Sequence, residues 1–307
     1  MINVDFIKRI FLFFLVLFLL NNSLLPNGES ITCYGLSKTL YVGGTGNNNY
    51  SSIQNAIDNA SNGDSIYVYK GTYQENIVIY KSLTLTGDDR RYTIINAIQR
   101  GDVVNINTNH VTLSGFTIEN SVGQYAGISL TNNSRYCEIS NNQIISNNWD
   151  GISLFSSSNN IIKNNIISYN SDGINLNHES NENTIIENTI SDNYFYGIYI
   201  QDVHNNNIYG NDFLSNGQNA HDEGDNIWDD GWHGNFWDDY EERYPFSRKI
   251  LLKGIWSSPY EIPGGLNQDY YPIIKPVTEN KDKSLINHFI YRYNLLNELF
   301  IIYNNYF

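Results

Sequence analysis

At 307 residues the chain can bury a sizeable core as one large or two modest domains. Only 16% of residues are charged and the formal charge is −14, which argues against a coiled coil or a charge-rich disordered chain. The acidity also speaks against nucleic acid, since phosphate binding needs a basic face, and leaves cations, neutral glycans or a basic partner open.

The chain opens with a segment that reads as a signal peptide over residues 1–32. Lys8 and Arg9 precede an unbroken apolar run, Ile10 to Leu20, too short to span a bilayer comfortably, and polar Asn21-Asn22-Ser23 follows. An uncleaved anchor is the alternative. Removing everything through Cys33 leaves 16 basic against 30 acidic residues, so the acidity belongs to the mature chain. Cys137 is then the only cysteine, which excludes a disulfide scaffold.

Residues 38–64 read as an N-terminal cap. Tyr50 to Ala60 has a helical stripe of Ile53, Ala56, Ile57 and Ala60, with Ser51 and Gln54 in capping-box spacing. Such a helix would plug the open end of a solenoid.

Residues 65–219 carry a repeat. Gly127-Ile128-Ser129-Leu130 returns at Gly151, Gly173 and Gly197, at intervals of 24, 22 and 24, and Val103-Val104-Asn105-Ile106 fills the slot one unit earlier. Each unit holds three short β-branched runs separated by Asn, Ser, Asp and Gly. The fixed period predicts an all-β, single-stranded right-handed parallel β-helix of about six or seven coils of 22–24 residues. A leucine-rich repeat shares the period, but here isoleucine replaces leucine and the return leg reads as strand. Asparagine at the corners tolerates left-handed backbone angles and can stack into an amide ladder. Cys137, ten residues after Gly127 as Ile161 is after Gly151, is expected in the core.

Residues 220–276 break the repeat with an aromatic and acidic block, expected to cap the other end. The tail, 277–307, includes Leu295 to Ile302, an amphipathic stretch too short and interrupted to span a membrane.

The stretches Leu40-Tyr41-Val42-Gly43-Gly44, Gly63-Asp64-Ser65-Ile66-Tyr67-Val68, Gly71-Thr72-Tyr73 and Lys81-Ser82-Leu83-Thr84-Leu85-Thr86-Gly87 resemble the opening of pectate-lyase-like right-handed β-helix proteins. The Asn-Asn-x-Ile and Asp-Gly-Ile repeats resemble the NosD type, also described as carbohydrate-binding and sugar-hydrolase domains. Asn226 to Tyr240 and Asp269-Tyr270-Tyr271-Pro272 are similar to the tail of such proteins. The resemblance spans roughly 38–276 and implies fold more than activity, because one β-helix hosts lyases, hydrolases, binders and adhesins.

Two groups of residues are candidate sites. Asp150 and Asp172 each precede a repeat glycine and should stack one rung apart, where they could act as a catalytic acid–base pair or hold Ca²⁺. Their alternative is a solvated pair that simply favours the corner. Ala126 and Tyr196 hold the equivalent slots, which makes the acid column two long. The second group surrounds Trp228, Trp232 and Trp237, with Asp229, Asp230, Asp238 and Asp239 as a second possible Ca²⁺ set; its alternative is a lid on the core. Trp149, Tyr196, Trp228, Trp232 and Trp237 are the candidate sugar-stacking residues. No cofactor is required by either group. Copper, which the NosD resemblance implies through copper-site assembly, finds no methionine beyond Met1, no Cys-x-x-Cys and no regular histidine spacing. No Gly-x-Ser-x-Gly elbow is present.

The expected function is that of an exported envelope or extracellular protein, non-catalytic, that binds a polysaccharide or cell-surface glycan or plays a structural role. A polysaccharide lyase or glycoside hydrolase using the groove carboxylates is the second expectation and a copper-site accessory protein the third. No nucleic acid partner and no stable membrane span after leader removal are expected.

Overall fold

A computed structural model describes residues 37–277; the expected leader and the tail from residue 278 lie outside the described residues. Three parallel sheets wind into a right-handed β-solenoid. Sheet A stacks eight strands from Thr39–Val42 to Asn207–Tyr209. Sheet B stacks eight from Gly71–Gln74 to Phe236–Trp237, and sheet C seven from Ile77–Ile79 to Gln218–Asp222. Every coil visits A, then B, then C. Seven coils are complete, and a further strand at each end brings the solenoid to about nine turns, more than the six or seven expected. The Gly-Ile step undercounts because the early coils lack it and vary in length. Ser65, Thr84 and Thr112 are register partners although 19 and 28 residues separate them, whereas Glu138, Ile161, Thr184 and Asn207 recur every 23.

Strand alternation sends one column of each sheet inward. In sheet C, Ile128, Ile152, Ile174 and Ile198 are in register and wholly buried. Each such isoleucine contributes about 1.5–3 kcal/mol by burial. The sheet B column changes from isoleucine to aromatic at its end. Phe213, Trp237 and Tyr260 lie near-parallel with ring centroids 4.4 and 4.1 Å apart, closing the core with flat faces.

Each corner divides its work between two adjacent residues. The first takes a left-handed backbone, as Asn141, Asn164 and Glu187 do between sheets A and B. The second is the ladder asparagine. Asn142, Asn165, Asn188, Asn211 and Asn235 form one buried ladder, in which each backbone N–H donates at 3.0 Å to the side-chain oxygen of the next. Asn147, Asn170, Asn193 and Asn216 form a second ladder, and Asn160, Asn183, Asn206 and Asn226 a third. At Asn141-Asn142, Asn159-Asn160 and Asn164-Asn165, then, only the second residue ladders.

Cys137 tops the third ladder. Its N–H donates to Asn160 Oδ1 at 2.9 Å, and Glu138 pairs with Ile161, so Cys137 aligns with Asn160 rather than Ile161. It is buried as expected, but one register position away, because the 24-residue glycine interval exceeds the 23-residue interval of sheet A.

The repeat glycines are required for space rather than for unusual angles. A Cβ on Gly151 would lie 2.7 Å from the Gly173 carbonyl oxygen and 2.8 Å from Asn170 Nδ2. The glycine column and the second ladder are therefore packed against each other.

Helix α1, Ile53–Asn59, buries Ile53, Ala56 and Ile57 at the N-terminal end. Its cap is Ser52, whose Oγ accepts the Asn55 N–H, and not Ser51. Glu75, in the turn after the first strand of sheet B, supplies the carboxylate: it accepts the Ile53 and Gln54 N–H groups at 2.8 and 3.0 Å and the Ser52 hydroxyl. The cap acid thus comes from the first coil, out of reach of a local capping pattern.

Candidate functional site: the outward face of sheet C

In the Gly-Ile-x-Leu step the isoleucine and leucine point inward and the x residue points out. Register alignment places Asn105, Ser129, Ser153, Asn175, Tyr199 and His221 in one continuous outward column across six coils. Beside it, three positions earlier in each coil, runs a second column of Asp102, Ala126, Asp150, Asp172, Tyr196 and Gln218. Asp150 and Asp172 are indeed neighbours one rung apart. Asp102 lengthens the acid column to three, separated from Asp150 only by Ala126. It was hidden because its coil has Val103 in the glycine slot.

These carboxyl groups stabilise the corner differently. Asp102 Oδ1 accepts the Ala126 N–H at 2.8 Å, and Asp172 Oδ1 accepts the Tyr196 N–H at 3.1 Å. Asp150 is 2% exposed, and its Oδ1 has no hydrogen-bond partner. Burial above all, then the Asp172 charge, pushes its pKa up to about 8; hydrogen bonds to Ser153 and Asn175 oppose this, and the Asp102 charge adds the smallest rise. Burial and the unpartnered oxygen favour its protonated form. Burial also raises Asp172, with the Tyr196 N–H opposing. The cations nearest in sequence do not join the pair. Lys163 lies on sheet A and bonds Glu138 at 3.0 Å, and Arg135 lies in the turn leading into that sheet.

Aromatic rings flank the polar columns. Trp149 precedes Asp150 and is 40% exposed; Phe155, two residues beyond Ser153 on the same face, is 45% exposed. The His178 ring stacks on Phe155 with centroids 4.2 Å apart. One end of the face gathers Tyr196, Tyr199 and His221: Tyr199 is 5.1 Å from Tyr196 and 5.4 Å from His221, and His221 Nε2 lies 3.2 Å from Glu223 Oε1. Of these groups, sequence reading named Trp149 and Tyr196, placed His221 in the C-terminal block, weighed His178 only as a copper ligand, and missed Phe155, Tyr199 and Asp102. The signal for most of them was the x position of the repeated step and the residue two places later.

The C-terminal block is mostly a lid. Trp228 and Trp237 are buried, so neither presents a free ring face, and their Nε1–H groups donate to the buried carboxylates of Asp222 and Asp269 at 2.8 and 2.9 Å. Trp232 is exposed. The four predicted metal carboxylates hold the backbone and side chains of the cap. Asp229 accepts the N–H groups of Gly231 and Tyr270, and Asp230 those of Trp232 and His233. Asp238 accepts from Ser215 and Asn219, and Asp239 from Asn219 and the Tyr260 hydroxyl.

Among the described residues, no three His, Cys, Asp or Glu side chains meet where they could hold a metal ion. The soft and imidazole donors are dispersed: Cys137 is in a ladder, His178 stacks on Phe155, and His204 Nδ1 accepts the Asp225 N–H. These residues do not fit a copper site. Among the described residues, no helix is long and apolar enough to cross a membrane.

Stacked coils, amide ladders and an open polar face define a right-handed parallel β-helix protein. Residues 57–242 match the family described as periplasmic copper-binding protein (NosD), and the chain belongs to that family. A cell surface glycoprotein of Methanothermus fervidus is 34% identical over 148 residues, which cover 37% of this chain and 24% of that protein. The chain thus spans about a quarter of that relative's length. Among solved structures, pectin methylesterase PemA from Erwinia chrysanthemi aligns at 13% identity and TM-score 0.47, covering 59% of this chain and 67% of that one. Pectate lyase Pel9A aligns at 15% and 0.44, covering 66% and 73%.

Proposed function

We propose that the protein is an extracytoplasmic, non-catalytic binder of a polysaccharide or other surface polymer, held along the outward face of sheet C. One observation carries this reading: a column of amide, hydroxyl and aromatic groups in register over six coils, of which Ser129 alone is buried, flanked by exposed Trp149 and Phe155. A rung spacing of about 4.8 Å sets hydrogen-bonding groups at regular intervals along a line, which suits a repetitive chain better than a single small molecule. The family description and the relative's name support the location outside the cytoplasm. No metal is needed, so a chelator should leave affinity unchanged. Calorimetry against a panel of neutral, acidic and amino polysaccharides tests the reading. Trp149→Ala and Phe155→Ala should each weaken the best ligand about tenfold, the loss of one stacking ring. Binding to none of the panel would remove the proposal.

The neutral acid at Asp150 beside Asp172 favours a second reading, acid–base cleavage of such a polymer. Incubating the same panel and scoring new chain ends decides between them. Turnover that Asp150→Asn abolishes while binding persists would replace the first reading with the second.

A further inference from the structure

We propose that residues 246–253, in the C-terminal cap, dock the protein on an anionic lipid surface, inserting Leu251 and Leu252 at the headgroup boundary. The proposal is independent of polymer binding on sheet C. Two short strands, Lys249–Ile250 and Ile255–Trp256, form an antiparallel hairpin. Its turn is closed by the Lys253 and Gly254 N–H groups, both bonding the Ile250 carbonyl at 3.0 Å. Gly254 supplies the left-handed angle, φ +68°. The base is fixed: Trp256 is buried and stacks on Tyr240 at 4.7 Å, and the Ile274 N–H bonds the Gly254 carbonyl at 2.9 Å.

This anchored turn holds apolar side chains in water. Leu252 is 103% exposed, Leu251 79% and the nearby Phe246 96%. Three large apolar groups within seven residues, all held out from the body, form the kind of patch that marks an interaction surface. The charge around them identifies the partner. Residues 246–253 hold Arg248, Lys249 and Lys253 and no acid, a local +3 in a chain of −14. Lys249 is tethered beside the patch by Glu241 at 2.8 Å and lies 4.7 Å over the Trp256 ring. An exposed apolar turn flanked in sequence by Arg248 and Lys253, with Lys249 paired to Glu241, matches an interface where acyl chains lie beneath anionic headgroups. Repulsion of the acidic remainder would orient the protein so that this tip meets the lipid.

Co-sedimentation of the full chain with phosphatidylcholine vesicles, with and without about one third phosphatidylglycerol, tests this. The wild type should bind the anionic vesicles at least tenfold more tightly than the neutral ones. Leu251→Ser/Leu252→Ser should lose at least about tenfold of that affinity, since both leucines leave the interface. Lys253→Glu, a single exposed change, should weaken it too, and salt should reduce the wild-type affinity by screening. Unchanged melting would show that the variants fold. Absence of wild-type binding, or full retention by both variants, overturns the proposal. Two further results also overturn it. If the serine variant halves the mass in light scattering, the tip is a contact between copies. If it leaves vesicle binding unchanged but increases cleavage after Val277, the tail covers the tip.

Discussion

Asp150 shows how far one position can depart from its surroundings. An aspartate in an unfolded chain titrates near 3.9, whereas Asp150 in the coil titrates at about 8, chiefly through burial. The folded state therefore holds the proton more tightly than the unfolded state. The stability this lends is complete below about pH 4 and is lost progressively as pH rises to about 8. Asp150→Asn keeps the neutral shape and removes the titration. Urea midpoints should fall more for the wild type than for the variant between pH 4 and 8.5, by an amount worth on the order of a few kcal/mol. Parallel slopes would show that Asp150 is not buried as described. Asp269, pushed up to about 7 by burial, should leave a common slope in both proteins.

At the scale of a corner, the unit is the pair of a left-handed residue and a ladder residue. Cys137 occupies a ladder position without an amide. Its Sγ lies 3.4 Å from the Thr108 carbonyl, where Asn160, Asn183 and Asn226 send Nδ2 to the preceding coil, as Asn160 does to Ser134. Cys137→Asn should add a rung and raise unfolding stability by about 1 kcal/mol, measured by urea denaturation. A loss would mean that the pocket built around sulfur cannot admit the amide. The Asn-Asn pairs and Gly-Ile steps make corners and strands legible in the sequence alone. The division of labour within each pair was not legible, because Asn141 and Asn142 differ only in backbone angle and in what lies one coil away. Likewise the helix cap involves Glu75, 23 residues beyond Ser52.

Across the solenoid, coils are interchangeable wherever their lengths agree. Deleting residues 160–182 joins Asn159 to Asn183 and removes one 23-residue repeat of sheet A. Asn183 then takes the place of Asn160 beneath Cys137, Thr189 pairs with Gln143, and Ile198 with Ile152. The shortened protein should unfold in one cooperative transition with the circular dichroism of β-helix intact. Deleting 160–179 instead shifts the register by three residues, breaks every ladder at the junction, and should abolish that transition. Equal behaviour of the two deletions would refute the ladder account.

What the amino-acid order determined by itself is everything that repeats: alternation within each strand, the interval between strands, and the identity of the inward columns. These rest on local geometry summed many times, so a pattern announces them. Tertiary structure alone decided the number of turns, the third acid at Asp102, the burial of Trp228 and Trp237, and the solitary oxygen of Asp150. Each depends on an irregular loop length or on neighbours from another coil. A linear pattern carries no record of what those neighbours cover.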